Sequence, residues 1–386
     1  MIREATVNLT RKLYRPLDRA GQRRVRKPAG NPRRLARQPV HYPVLDNARF
    51  VLISLVVVGH LLEQLADQGP MAAALYRWIY LFHMPAFVLI SGAVSKSTLT
   101  RRRALALVTG LLLPYVIFQT LYPAWDAWLF HTGEGYQGYL TPYWLLWYLP
   151  SLACWRLLLP LFARLKFALP LAVAIALAAG VAPWIGYPLS LSRTLVFFPL
   201  FLLGYRLGGQ RLQQLGVSRN RKCIALGVLI TAAIGAWLLR DADPEWLYAS
   251  IGYADLQVAA WPGSGIRLAL LTASASCALA VLALAPRRAM QPGLGRHSMT
   301  AYLMHGFLVR AMVAAGVFAW LAQTLPEPAE LLVCLVAGAL IAGVLSARLA
   351  DSLAAPLTGP FTWARGLARR APLPIRRRME EFKRLY

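Results

Sequence analysis

Long apolar runs constrain this chain before any other feature does. A helix needs about 20 consecutive apolar residues to cross roughly 30 Å of hydrocarbon. Ten windows meet that need, at 44–66, 74–95, 104–125, 142–163, 168–183, 192–209, 223–239, 263–285, 298–323 and 329–350. Inside lipid every backbone N–H and C=O must be satisfied within the segment, so each window predicts a helix. The expected fold class is all-α: a polytopic integral membrane protein of about ten transmembrane helices. Composition agrees, at 58% hydrophobic and 15% charged residues, where soluble domains carry about a quarter charged.

The net charge of +26, from 42 Lys and Arg against 16 Asp and Glu, would suit a nucleic-acid binder if it were spread over one surface. Instead it sits in the two tails and in alternate loops. Lys96, Arg101, Arg102, Arg103, Arg164, Lys166, Arg206 and Arg211 fall on one side, while acids such as Asp67, Asp126, Glu134, Asp241, Asp243 and Glu245 collect on the other. Positive charge in short loops marks the cytoplasmic side, so an even number of spans with both termini cytoplasmic is expected. Residues 1–41 read as a basic, disordered tail drawn to anionic lipid headgroups. RNA is the rival ligand for that tail, but no pattern of interleaved aromatic residues supports base stacking. The segment precedes the first apolar run at a length too great for a signal-peptide n-region, so that run is expected to stay as a helix. Residues 42–352 form one transmembrane domain without internal repeats, and 353–386 a second basic cytoplasmic tail. Cys154, Cys223, Cys277 and Cys334 stand singly, with neither disulfide nor metal-ligand spacing.

Ionisable groups inside membrane helices face a protein interior or a water-filled cavity. Arg49 and His60 lie eleven residues apart on the first helix, about 1100° of rotation, so they share a face within about 20° and stand about 16 Å apart along the axis. Glu63 follows close to that face. Together they suit proton abstraction from an alcohol: a neutral imidazole accepts the hydroxyl proton, the carboxylate orients the ring, and the arginine offers a fixed cation for phosphate. The alternative is structural, with His60 bonding a neighbouring helix and Arg49 reaching to the interface.

Arg, ten residues and then His on a first transmembrane helix resembles the signature of the membrane-bound acyltransferase 3 family. Asp-Asn-Ala-Arg at 46–49 with Val-Val-Gly-His-Leu-Leu-Glu at 57–63 is similar to its fucose 4-O-acetylase-related branch. Further blocks resemble the family's in order: Phe-His-Met-Pro-Ala-Phe-Val-Leu-Ile-Ser-Gly at 82–92, Arg101–Arg103 before Leu-Leu-Pro-Tyr at 112–115, and Leu-Trp-Tyr-Leu at 146–149. Phe-Phe-Pro-Leu-Phe-Leu-Leu-Gly at 197–204 and Gly-Arg-His-Ser-Met-Thr-Ala-Tyr-Leu-Met-His at 295–305 complete the set. The resemblance implies an O-acyltransferase that takes an acyl group, usually acetyl, from cytoplasmic acyl-CoA to a hydroxyl of a glycan or lipid-linked acceptor. It puts the essential arginine and histidine at Arg49 and His60. One departure stands at Tyr143-Trp144-Leu145, where many relatives carry a polar residue such as His.

Among the remaining candidates, Arg101, Arg102 and Arg103 suit CoA phosphates or serve only as topology determinants. His83, beside Pro85, binds acceptor or caps the carbonyl that the proline leaves unbonded. Trp147 and Tyr148 wall a substrate channel or belong to an interface belt. Ser91 and Gly92 are expected to permit close helix packing. His305 is expected in the cytoplasmic half as a structural hydrogen-bonder, and Arg310 needs a partner, with Glu63 as the guess. Trp246, Tyr248, Tyr253 and Trp261, in an acidic segment, belong to an acceptor site or to a solvated loop. No Gly-X-Ser-X-Gly elbow exists, so direct transfer is expected rather than an acyl-enzyme.

The expectation is therefore a multi-pass protein of the bacterial cytoplasmic membrane. Its donor is acetyl-CoA or another acyl-CoA, its partners are a glycan or glycolipid acceptor and membrane lipids, and neither metal nor nucleic acid is involved. A transporter or flippase of a glycan or lipid precursor, with the same polar stripe lining a path, is the alternative. A scaffold recruited through the basic tails is a third, weaker option.

Overall fold

The computed structural model describes residues 42–131, 138–288, 290, 295 and 297–370. The expectations for the tail 1–41, for Glu134 and Arg296, and for 371–386 lie outside the described residues. Within them the chain is helical: α1 (Pro43–Leu62), α2 (Pro70–Ala93), α3 (Arg101–Phe130), α4 (Trp144–Phe162), α5 (Ala168–Ala179), α6 (Leu191–Gln213) and α7 (Arg219–Leu238). There follow the short α8 (Glu245–Tyr248), α9 (Ala260–Leu284), α10 (Ser298–Ala314), α11 (Val317–Thr324), α12 (Glu327–Leu345), α13 (Arg348–Thr358) and α14 (Pro360–Arg370).

Among the described residues, eight helices are long and apolar enough to cross a membrane. The pair α10–α11, bent by 61°, makes up to nine. Two of the ten expected windows therefore differ. The window at 168–183 holds α5, a helix of 12 residues, about 18 Å long and short of the hydrocarbon thickness. It stops because Gly180 meets the loop near Tyr253, whose backbone N–H donates to the Gly180 carbonyl at 2.7 Å. The window at 298–323 is broken at Ala315-Gly316, with Gly316 at φ 70°, a conformation that a helix interior does not use. Beyond the last span, α13 and α14 are amphipathic helices. Asp351 of α13 anchors them to the start of α10 through His297 at 2.8 Å and Thr300 at 2.6 Å.

The bundle is organised on α2 and α6, which pack most extensively, with α1, α7 and α9 also against α2, and α10 and α12 against α1. The α2–α6 crossing is close because both sides carry glycine. A Cβ on Gly92 would lie 1.9 Å from the Phe201 carbonyl oxygen, and one on Gly204 the same distance from that of Leu89. Gly92 thus does what the sequence suggests, whereas Ser91 hydrogen-bonds the Tyr148 hydroxyl at 2.7 Å. In α3 a π-helical turn at Val108–Leu112 precedes Pro114, which has no N–H to donate.

Gly204→Ala is expected to force the two backbones apart and destabilise the protein by about 1–3 kcal/mol, the usual cost of overpacking. Thermal unfolding in detergent measures it, and an unchanged melting temperature would count against this crossing.

Candidate functional site

α1 starts with proline at its first turn, a position where no N–H is needed, and ends with Glu63 as C-cap. His60, in the last turn, is therefore one turn from its carboxylate. His60 Nδ1 and Glu63 Oε2 are 2.8 Å apart. An ionised carboxylate can only accept, so in a neutral ring with this bond Nδ1 carries the hydrogen and Nε2 the lone pair. Three aromatic neighbours fix the ring plane: Trp144 with centroids at 4.5 Å, His305 stacked at 5.3 Å and Tyr80 at 6.4 Å. Trp144 itself sits at φ 39°, a strained backbone for a bulky residue and one that active sites tolerate.

His60 and Glu63 line a cavity of about 100 Å³ walled by Tyr80, His83, Trp144, Trp147, Tyr187, Arg193, Tyr248 and Tyr302 among others. Tyr248 belongs to the turn between spans. Burial, opposed by the bond to Tyr76 and reinforced by Glu63, pushes its phenol up to about 12, so it stays protonated at neutral pH.

A second cavity, of about 120 Å³, lies toward the start of α1 and is lined by Arg49, Ile53, Phe87, Ser91, Tyr148, Ser298 and Met299. Val56, Met84 and Tyr302 line both cavities and form the partition between them. Arg49 is held by Asp46 at 2.7 Å and remains partly exposed. Arg156 of α4 lies within electrostatic reach of Arg49 and Tyr148. A third, largely apolar cavity of about 900 Å³ lies between α2, α7 and α9, and its lining, which includes Arg77 and Asp243, takes in neither His60 nor Arg49.

The expected site residues divide between these spaces. His60, Glu63, His83 and Trp147 share the first cavity, and Arg49 and Tyr148 the second. Arg101 and Arg102 are exposed at the start of α3, and Arg103 donates to the Thr98 carbonyl at 2.6 Å. None of the three lines either cavity. His83 donates to the carbonyl of Ile79 at 2.8 Å, whereas the carbonyl freed by Pro85 is that of Leu81, so His83 does not cap the break. Tyr248 lines the His60 cavity, but Tyr253 is buried against Leu177 and Trp261 is 88% exposed. The acidic segment therefore contributes one aromatic residue to the cavity.

Two expectations are corrected. His305 bonds the Ala301 carbonyl at 2.9 Å, as a structural histidine would, but it stacks on His60 instead of lying a turn or two into the opposite half. The reason is that α10 begins level with Arg49: a Cβ on Gly295 would meet the Asp46 carbonyl at 1.9 Å. His305 Nε2 is buried without a partner among the described residues. Arg310 pairs with Asp126, not Glu63, through Nε at 2.8 and 3.0 Å and Nη2 at 2.8 Å. Tyr143 also donates to Asp126.

Sequence reasoning did not single out Trp144, Arg156, Arg193, Met84 or Tyr80. The departure at Tyr143-Trp144-Leu145 was a signal for the first, because Trp144 occupies the ground beside His60.

An all-helical, polytopic membrane bundle with a histidine–carboxylate pair over a cationic cavity defines the class. The chain belongs to the acyltransferase 3 family, whose acyltransferase domain it matches over residues 42–347. It is similar to nodulation protein NolL of Mesorhizobium japonicum (strain LMG 29417 / CECT 9101 / MAFF 303099), with 30% identity over 215 residues, 50% of this chain and 55% of that protein. The chain thus aligns with about half the length of that relative. No solved structure matches.

Asp126→Ala is expected to cost about 1.5–3 kcal/mol, the range for hydrogen bonds to a charged group, because it strands Arg310. A melting temperature unchanged from wild type would contradict the pairing.

Proposed function

We propose that this protein is an O-acyltransferase that moves an acyl group, acetyl in the simplest case, from cytoplasmic acyl-CoA to a hydroxyl of a cell-envelope glycan or glycolipid. The observation that carries this reading is the back-to-back pair of cavities. A cationic one holds Arg49, the other holds His60, and both are lined by Val56, Met84 and Tyr302.

In this mechanism the CoA phosphates lie by Arg49, with Arg156 adding positive charge and Arg101–Arg103 acting at the approach. Guanidinium groups suit phosphate oxygens. The pantetheine arm passes Met84, and the thioester reaches His60. His60 Nε2 takes the proton of the acceptor hydroxyl as its oxygen attacks the thioester carbonyl. Glu63 holds the imidazolium that forms. The tetrahedral adduct collapses, the C–S bond breaks, and the CoA thiolate receives the proton back from His60. His83 and Trp147 wall the acceptor side, and Tyr148 the donor side. The charge bias of the loops supports placing the Arg49 end and both termini at the cytoplasm, and the donor's origin fits the cytoplasmic membrane of a bacterium. Resemblance to the fucose 4-O-acetylase-related branch supports acetyl as the acyl group and a sugar hydroxyl as acceptor.

Protein purified in nanodiscs, given acetyl-CoA and an envelope glycolipid fraction, is expected to release free CoA with no compartments present. A transporter or flippase would not do this. His60→Ala is expected to lower the rate by roughly 10²–10⁴, the usual contribution of a general base, while acetyl-CoA still binds. Near-wild-type turnover in that variant sinks the assignment.

Met84→Trp is expected to close the partition and abolish turnover with CoA binding retained. Unimpeded turnover would show that the arm takes another route.

A further inference from the structure

We propose that Arg193 is the receptor for an anionic group of the acceptor, a carboxylate or a phosphate, in the His60 cavity. This rests on the acyl-transfer reading for the word acceptor, but the site itself stands on its own geometry.

Arg193 lies in the first turn of α6, where the helix dipole is positive and a cation is disfavoured. It is only 9% exposed, and an unpaired buried cation carries a desolvation penalty of several kcal/mol. Its Nε donates to the Tyr248 carbonyl at 3.1 Å. Nη1 is buried with no partner, and no acid lies within ion-pair distance among the described residues. Glu63 is the one carboxylate lining the cavity, and it is bonded to His60.

Two rings flank the guanidinium, its carbon lying 5.2 Å from the Trp147 ring centre and 4.9 Å from that of Tyr187. Stacking of this kind fixes the plane and leaves the outer edge for a ligand. The buried Ser190 hydroxyl, at the residue that caps α6, also has no partner. A cation without a carboxylate partner and a helix N-terminus thus stand together, and Arg193 lines the cavity. A visiting oxyanion satisfies both, and the forked edge of a guanidinium matches a carboxylate or phosphate in two-point contact. The CoA phosphates are assigned to the Arg49 side of the partition, so this anion comes from the acceptor. An acceptor of this class is a sugar acid or a phosphorylated sugar or lipid.

The test uses the full chain in nanodiscs without acyl-CoA, and three probes: methyl β-glucuronide, methyl β-glucoside and inorganic phosphate. Binding is read as the ligand-induced rise in melting temperature across a concentration series. Wild type is expected to bind glucuronide or phosphate at least about tenfold more tightly than glucoside, a difference of about 1.4 kcal/mol. Glucuronide alone would mark a carboxylate site, and phosphate a phosphate site. Arg193→Gln is expected to erase the preference, Arg193→Lys to keep part of it, and Arg164→Gln, an exposed arginine elsewhere, to leave it intact. Equal binding of charged and neutral probes by wild type overturns the proposal, as does a preference that survives in Arg193→Gln. If Arg193→Gln does not fold, the wild-type comparison and Arg193→Lys decide. A preference lost in Arg164→Gln as well would also overturn it. Charge preference in a protein that never releases CoA supports the anion site and sinks the transfer reading alone.

Discussion

Polar atoms on a membrane helix cannot meet hydrocarbon, and α1 carries Asp46, Arg49 and His60, with Glu63 at its cap. The rest of the bundle is arranged to keep these groups away from lipid. α2, α10 and α12 all pack against α1. The close α2–α6 crossing draws α6 in behind them, and α4 delivers Trp144, Trp147 and Tyr148 to the space that remains. What is left uncovered is two small cavities, one around each end of the stripe. The 2.8 Å bond between His60 and Glu63 then decides which imidazole nitrogen keeps its lone pair.

The buried arginines show how selectively this fold spends its acids. Arg310 has Asp126, with Tyr143 completing the carboxylate's bonds, and Arg49 has Asp46. The first is a closed pair, whereas Arg49 stays partly exposed and lines the second cavity. Arg193 and Arg267 are clamped by aromatic rings and backbone carbonyls, with nitrogens left over. Only Arg193 faces the cavity that holds His60. A buried arginine left without a carboxylate beside that cavity is where a ligand's charge is called for.

Much of this was readable from residue order because helical periodicity is a local property. The stripe of Arg49, His60 and Glu63 follows from 3.6 residues per turn alone. Hydropathy located the apolar segments but misjudged two of them, since a window cannot register that Gly180 is stopped by the Tyr253 loop or that Gly316 turns the chain. Partners across helices were the least legible. Arg310 offered no local clue that its carboxylate sits on α3, and His305 reaches His60 only because Gly295 sets α10 deeper than a straight span would. Arg101–Arg103 stood out in sequence as a charge cluster, yet they are solvent-facing and apart from both cavities, as short-loop arginines usually are.

The central claim is that the two cavities are halves of one route, with the donor's phosphates at Arg49 and its acyl carbon at His60. An electron-microscopy map of the nanodisc-embedded protein bound to acetonyl-CoA, a thioether analogue that cannot transfer its acyl group, tests this directly. The account predicts phosphate density against Arg49, the arm passing Met84 and Tyr302, and the ketone beside His60 Nε2. Analogue density that stays wholly on one side of the partition, or lies outside both cavities, would contradict it.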